Sequence, residues 1–363
     1  MKILWHSHSP LASTGYGIPT AMWVPELEKM GHDVAVSSFT GQHMDFTWHG
    51  RTVLNTDDGK YGATFLPKLG RNADLIITLM DIWVYSPDML DILRIPVINW
   101  IPVDTSPLSV KDEEYFRHAR AYPVAMSEHG KKMLNEAGID GGGIPYAFDP
   151  AVFYPDEMDR KETRRLNNLD GLFVVGINAA NVERKAWPEQ LLAYASFWRE
   201  HQDEVILLAN TDLDGAINIP VLASRLGLPP EAVRWTRPGV MEQKDLASWY
   251  RSLDVLCSAT YAEGFCMPAG EAQACGTEVI VTNSEPVRSE VGRNGIHVDC
   301  EPTWHGYHLA WWHRPSIGAI TNALEYAFKH RDERKPAAIS RRVQKYAVAN
   351  VAPMWQAMIE SRA

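Results

Sequence analysis

The chain has 363 residues, 45% hydrophobic and 22% charged, a balance that fits folded domains and excludes a disordered polymer. Its formal net charge of −10 disfavours duplex nucleic acid as the main partner and opposes steady docking on an anionic membrane. No run reaches the roughly 18 apolar residues of a membrane-spanning helix. The opening Met1-Lys2-Ile3-Leu4-Trp5-His6 turns polar too soon for a signal peptide, so a cytoplasmic protein is expected. Cys257, Cys266, Cys275 and Cys300 form no Cys-x-x-Cys pair and read as structural thiols.

In chain order, strands are predicted at 2–5, 33–38, 74–79, 95–101 and 121–126, with a small hairpin over 45–54. A helix is predicted over 18–30, where Met22, Trp23, Leu27 and Met30 recur at helical spacing and Gly31 stops it. Gly141-Gly142-Gly143, Pro145, Asp149-Pro150, Pro155 and a charged stretch to Arg165 then read as a seam between domains. Beyond it, strands are predicted at 172–177, 204–209, 233–236, 253–258, 277–282 and 296–299. The helices between and after them are placed at 187–200, 219–226, 242–252, 268–275 and 316–330.

Near-continuous apolar strands alternating with helices mean parallel strands covered on both faces. The fold class expected is therefore α/β, with two doubly wound Rossmann-like domains facing across a cleft. Residues 1–150 form the first domain and 151–345 the second. Ligands in such sheets bind beyond the carboxyl ends of the strands.

The segment Ala262-Glu263-Gly264-Phe265-Cys266-Met267-Pro268-Ala269-Gly270-Glu271-Ala272-Gln273-Ala274-Cys275-Gly276 lies between two predicted strands. Pro268 suits the first turn of a helix and Gly276 its C-terminal cap. Gly264 to Met267 then form a tight loop whose amides can face an anion, backed by the positive end of the helix. Glu271 is expected in the first turn and Glu263 just ahead of the loop. This segment resembles the Glu-x7-Glu signature of the family 4 retaining glycosyltransferases, which have the GT-B fold. It departs from that pattern at Cys266, where glycine is usual, and at Gly270, where leucine is common.

Other positions share the resemblance. Gly15-Tyr16-Gly17 and Gly31-His32-Asp33-Val34 are similar to the family's N-terminal glycine loop and the Gly-His-x-Val that follows it. Gly176 to Lys185 is similar to the segment whose basic pair grips the donor diphosphate, with Arg184 and Lys185 as that pair and Asn178 in place of a further arginine. Ser127-Glu128-His129 and Pro145 to Pro155 resemble a Ser-Glu run and the interdomain linker, and Gly239 and Val240 the loop beside the donor base. Asp104 stands in the region where many relatives carry a histidine facing the donor sugar, and Asp81 is a candidate for the same cleft. The last residues, 346–363, with Val351, Met354, Trp355 and Met358 at helical spacing, are expected to pack back on the first domain, as in relatives.

The resemblance implies a retaining transfer of a sugar from a UDP- or GDP-sugar to a hydroxyl acceptor. That acceptor is a glycan, lipid-linked sugar, protein, metabolite or modified nucleobase. No cofactor and no metal is implied. Arg184, Lys185 and the amides of Gly264, Phe265, Cys266 and Met267 would hold the diphosphate, Glu263 the sugar and Glu271 the ribose, with Gly15 and Gly17 also at the donor. Alternatives are a sugar-nucleotide epimerase of the same fold and a non-catalytic nucleotide-sugar binding protein. A dinucleotide-dependent dehydrogenase is disfavoured because Gly15-Tyr16-Gly17 lacks the third glycine of Gly-x-Gly-x-x-Gly. Asp212-Leu213-Asp214 reads as a turn before Gly215 rather than a metal motif. His6 and His8 form a His-x-His without sequence partners, and the basic stretch Lys329 to Lys345 reads as a solvated helix face. The aromatic group Trp304, His305, Tyr307, Trp311, Trp312 and His313 is a candidate lid or partner surface, or ordinary packing.

Overall fold

The computed structural model of the chain describes residues 1–40, 44–85, 95–237 and 241–362. It divides into two compact units. The first holds Met1–Ala147, His305–Ala310 and Ala349–Ala363, and the second Phe148–Trp304 and Trp311–Val348.

The first unit is built on an 8-stranded sheet. Its strands are β1 (Lys2–Ser7), β2 (Asp33–Ser38), β3 (Phe46–Trp48), β4 (Arg51–Asn55), β5 (Leu75–Leu79), β6 (Val97–Ile101), β7 (Tyr122–Ala125) and β8 (Gly142–Gly143). Their order is β3-β4-β2-β1-β5-β6-β7-β8. Pairing is parallel except for the β3–β4 hairpin. β5 and β6 are buried along their whole length, as strands with helices on both faces must be. The strand order reverses between β1 and β5, which opens the crevice expected of a doubly wound sheet beyond Ser7 and Leu79.

A tryptophan cluster locks this unit. Trp5, Trp23 and Trp100 surround Trp355, with ring centroids 5.9, 5.8 and 5.1 Å from it, and all four rings are buried. Trp355 comes from the last helix, Val348–Glu360, which buries Val351, Trp355 and Ile359 along one face. Trp5 Nε1 donates to Thr20 Oγ1 and Trp100 Nε1 to Ile144 O, so two of the indoles keep their polar handle satisfied.

The glycine run at 141–143, expected as part of the seam, lies inside the first unit, where Gly142 and Gly143 form β8, paired with Val124 and Ala125. A Cβ on Gly142 would sit 2.4 Å from Met358 Cε on the last helix, so a side chain there would have to displace the methionine. The charged stretch after it is also structured. Asp156 caps a helix, Glu157–Leu166, by accepting from the amides of Met158 and Asp159. Helices at Val110–His118 and Glu128–Glu136, capped by Ser109 and Ser127, are among the elements that the apolar spacing did not reveal.

The second unit holds a 6-stranded parallel sheet: β9 (Phe173–Asn178), β10 (Val205–Asn210), β11 (Val233–Thr236), β12 (Val255–Ser258), β13 (Glu278–Thr282) and β14 (Gly295–Val298). Their order is β11-β10-β9-β12-β13-β14, so the reversal falls between β9 and β12. Gly176 lies in β9, where a Cβ would meet Leu253 Cδ1 at 2.3 Å, so the packing of Leu253 against the strand favours glycine. The aromatic stretch forms a two-stranded ribbon, β15 (Cys300–His305) with β16 (Ala310–Pro315). Trp304 and Trp311 are exposed and pair edge to face, whereas Trp312 is buried. Among the described residues, no helix is long and apolar enough to cross a membrane.

Candidate active site at the switch point of the second sheet

The carboxyl ends of β9 and β12 are where a doubly wound sheet of this order places its ligand. β9 ends at Asn178, and the chain then makes a short turn, Glu183–Lys185, before the helix Trp187–Glu200. Ala186 joins the two with φ 51°, in the left-handed region. β12 ends at Ser258 and runs through Tyr261 and Glu263 into the helix Met267–Ala274. The amide of Tyr261 donates to Arg184 O at 2.8 Å, which ties the two loops together.

These loops bring three charges to one point. Lys185 Nζ donates to Glu263 Oε1 at 2.5 Å, and Arg184 Nη1 donates to Glu263 Oε2 at 2.9 Å and to Ala262 O at 3.1 Å. Lys185 and Glu263 are buried, and the Arg184 side chain is one-third exposed. Burial alone would push the Glu263 carboxyl up. The neighbouring charges of Lys185 and Arg184 and their hydrogen bonds outweigh it, so the carboxyl is held below its usual range. Burial, then the Arg184 charge, pulls Lys185 below the usual ammonium value against the opposing pull of Glu263. The cluster carries one net positive charge.

Next to Glu263 the helix Met267–Ala274 begins, one residue earlier than the proline pattern suggests. Glu271 therefore lies beyond the first turn, which corrects the expected position. It is buried, and Tyr250 Oη donates to its Oε2 at 2.9 Å. Among the described residues, the amides of Gly264, Cys266 and Met267 donate to no protein acceptor. They lie at the positive end of that helix, next in sequence to Glu263 of the Lys185–Arg184 cluster, and amides at a helix start suit an anion. Phe265 is buried in the same loop, its ring edge-on to Tyr346 at 4.9 Å. Cys266 has φ 73° and ψ 63°, the left-handed conformation that glycine adopts most easily, and its Sγ lies 3.3 Å from Ser258 Oγ. The loop has kept a glycine's backbone with a cysteine in it.

Gly15, Gly17 and Asp104 belong to the first unit. Gly15 is exposed in the turn after β1, and Gly17 starts the helix Gly17–Lys29. A Cβ on Gly17 would fall 2.1 Å from Ala12 O and 2.7 Å from Ser9 O, so the close approach of the loop requires glycine there. Asp104 and Asp81 follow β6 and β5. Burial chiefly, with the charges of Asp104 and Asp81 behind it, pushes Asp112 up to about 7 against a hydrogen bond from Ser109. Gly239 and Val240 lie outside the described residues.

Two features went unread in the sequence. Glu189 is buried in the helix after Lys185, and its Oε1 accepts from Tyr261 Oη at 2.7 Å and from Arg314 Nε at 2.9 Å. The amide of His313 donates to Tyr261 O at 2.9 Å, so β16 is fastened to the Glu263 loop. Only long-range contacts reveal this, and nothing local marks it. His6 proves to have partners: its Nε2 donates to Tyr61 O, which leaves Nδ1 to accept from Ser37 Oγ. Among the described residues, no group of His, Cys, Asp and Glu side chains is arranged to hold a metal ion. Asp212 instead offers its carbonyl to the Asn181 amide.

Two parallel α/β units, with a basic pair and a helix N-terminus at the second switch point, place the chain in the GT-B class of folds, that of many glycosyltransferases. Residues 214–303, which include Glu263 and Glu271, match the family Glycosyl transferases group 1. The D-inositol 3-phosphate glycosyltransferase of Paenarthrobacter aurescens is 30% identical over 174 residues, 46% of this chain and 40% of the relative. That of Pseudarthrobacter chlorophenolicus is 28% identical over 196 residues, 51% of this chain and 44% of the relative. The aligned stretches thus span less than half the length of these curated relatives. Sucrose-phosphate synthase from Thermosynechococcus elongatus superposes with a TM-score of 0.78 at 16% identity, over 99% of this chain and 98% of that one. Anabaena Alr3699/HepE in complex with UDP-glucose gives 0.73 at 16% identity, over 99% and 100%. At these identities the likeness is one of fold.

Proposed function

We propose that this protein transfers a glycosyl group from a UDP- or GDP-sugar to a hydroxyl acceptor, with retention at the anomeric carbon and without a metal. The observation that carries the reading is the Lys185–Glu263–Arg184 cluster beside the amides of Gly264, Cys266 and Met267, which have no acceptor among the described residues. Fixed cations and oriented amides are what a departing diphosphate needs as its charge grows. Binding of that diphosphate draws Arg184 and Lys185 partly away from Glu263, whose carboxylate then accepts from sugar hydroxyls. Glu271 accepts from the ribose.

In the transfer, the bond from the anomeric carbon to the diphosphate oxygen breaks and a bond to the acceptor oxygen forms on the same face. The acceptor proton passes to the departing diphosphate oxygen. The resemblance to the family 4 glycosyltransferases also assigns Gly15, Gly17, Asp104, Gly239 and Val240 to the donor. The UDP and UDP-glucose held by Anabaena Alr3699/HepE support a uridine donor, and the names of the curated relatives make D-inositol 3-phosphate the first acceptor to try.

The test is an assay with UDP- and GDP-sugars, EDTA and a panel of acceptors that includes D-inositol 3-phosphate. Release of nucleoside diphosphate in step with an acceptor glycosylated in the donor's anomeric configuration is the expected result. Conversion of the sugar without nucleotide release would point to an epimerase, and saturable binding without any product to a non-catalytic binding protein.

A further inference from the structure

Glu271 is held from behind by a residue that no part of the motif contains. Tyr250 lies on the helix Gln243–Ser252, is fully buried, and donates from Oη to Glu271 Oε2 at 2.9 Å. Its own oxygen accepts from Asn178 Nδ2 at 2.7 Å. Asn178 closes β9 at the switch point, so the chain of hydrogen bonds runs from the sheet end through the phenol to the carboxylate. The Tyr250 backbone is pinned as well, because Thr277 Oγ1 donates to Tyr250 O at 2.7 Å.

A phenol has a single proton. With the Asn178 amide donating to the oxygen, that proton goes to Glu271. Burial, and then the Glu271 charge, raises the phenol's pKa well above its ordinary value, so the donor stays protonated across the working range. The bond to Oε2 restricts how the Glu271 carboxylate turns about its last side-chain bond.

We propose that Tyr250 is a positioning residue that sets the Glu271 carboxylate in the orientation that receives a ribose hydroxyl of the nucleotide, with Asn178 setting Tyr250 in turn. This rests on the glycosyl-transfer reading, in which Glu271 meets the ribose. It adds a determinant outside the Glu-x7-Glu segment and gives Asn178 a role at a position where the resemblance predicts an arginine.

The experiment is calorimetric titration of UDP and GDP, and of their 2′-deoxy and 3′-deoxy forms, into wild type, Tyr250→Phe and Asn178→Ala. In wild type, removing the hydroxyl that Glu271 accepts weakens binding about tenfold, the scale of one hydrogen bond to a charged group. Tyr250→Phe keeps the ring and its packing. It should bind the ribose form about tenfold more weakly and the deoxy form as wild type does, so that the discrimination collapses. Asn178→Ala, which leaves the phenol in place, should shrink the discrimination less. Equal losses for ribose and deoxy forms, or no change in either, would overturn the inference and leave the function standing. Failure of wild type to bind any of these diphosphates would overturn both.

Discussion

Lys185 and Glu263 stand 78 residues apart in the chain and meet as a buried pair, Nζ to Oε1 at 2.5 Å. Removing one partner from such a pair leaves an uncompensated buried charge, at a cost of roughly 3–5 kcal/mol, whereas removing both costs much less. Arg184 remains beside Glu263 and lowers the figure here. Lys185→Ala should therefore lose stability in urea denaturation, and the double variant with Glu263→Ala should recover part of it. Turnover in Lys185→Ala should fall about a hundredfold or more, as for loss of one stabilising donor. Normal turnover would remove Lys185 from the diphosphate site.

Glu263 competes with the ligand for the same cations. Glu263→Gln keeps the shape and removes the charge, so nucleoside diphosphate should bind more tightly, by on the order of tenfold. Glycosyl transfer should fall at the same time, because the sugar loses its carboxylate. Weaker diphosphate binding in this variant would show that the carboxylate holds the cations in place more than it opposes the ligand.

Cys266 sits in the left-handed region with φ 73°. A side chain there costs about 1–2 kcal/mol relative to glycine. Cys266→Gly gives up the thiol's buried packing beside Ser258, and the net expectation is stabilisation of up to about 1 kcal/mol. The loop amides keep their directions, so transfer activity should be retained. A large loss of stability on denaturation would mean that the thiol's contacts outweigh the strain.

His6 is buried, and its pKa is lowered from 6.5 to about 4, first by burial, against the Tyr61 hydrogen bond and the Asp58 charge. The folded state therefore resists protonation where the unfolded chain accepts it. The stability this imidazole supports is fully present above pH 6.5 and is lost as pH falls from there toward 4. His6→Asn should flatten the pH dependence of the melting temperature across that window, even if the variant is less stable at pH 7. An unchanged slope would assign the acid sensitivity elsewhere, His8 being the first candidate because burial lowers it to about 4 as well.

Much of this was legible in the sequence for a physical reason: both sheets are covered on two faces, so their strands read as apolar runs. The loop over 262–276 was equally plain, since Pro268 and Gly276 mark the two ends of its helix, and Gly276 does adopt φ 80°. The helix Glu157–Leu166 escaped because it buries no residue. It is held instead by Arg160 and Arg164 on Asp254, partners about ninety residues away. Likewise, nothing near Glu189 announces Arg314, 125 residues on. Glu271 was misplaced by part of a turn because a proline fits either of the first two positions of a helix.

The most direct test of the central claim is calorimetric titration of UDP- and GDP-sugars, in EDTA, against wild type and Glu271→Ala. One nucleotide family should bind to wild type, and that binding should be lost or greatly weakened in the variant. No binding of either family to the folded wild-type protein would contradict it.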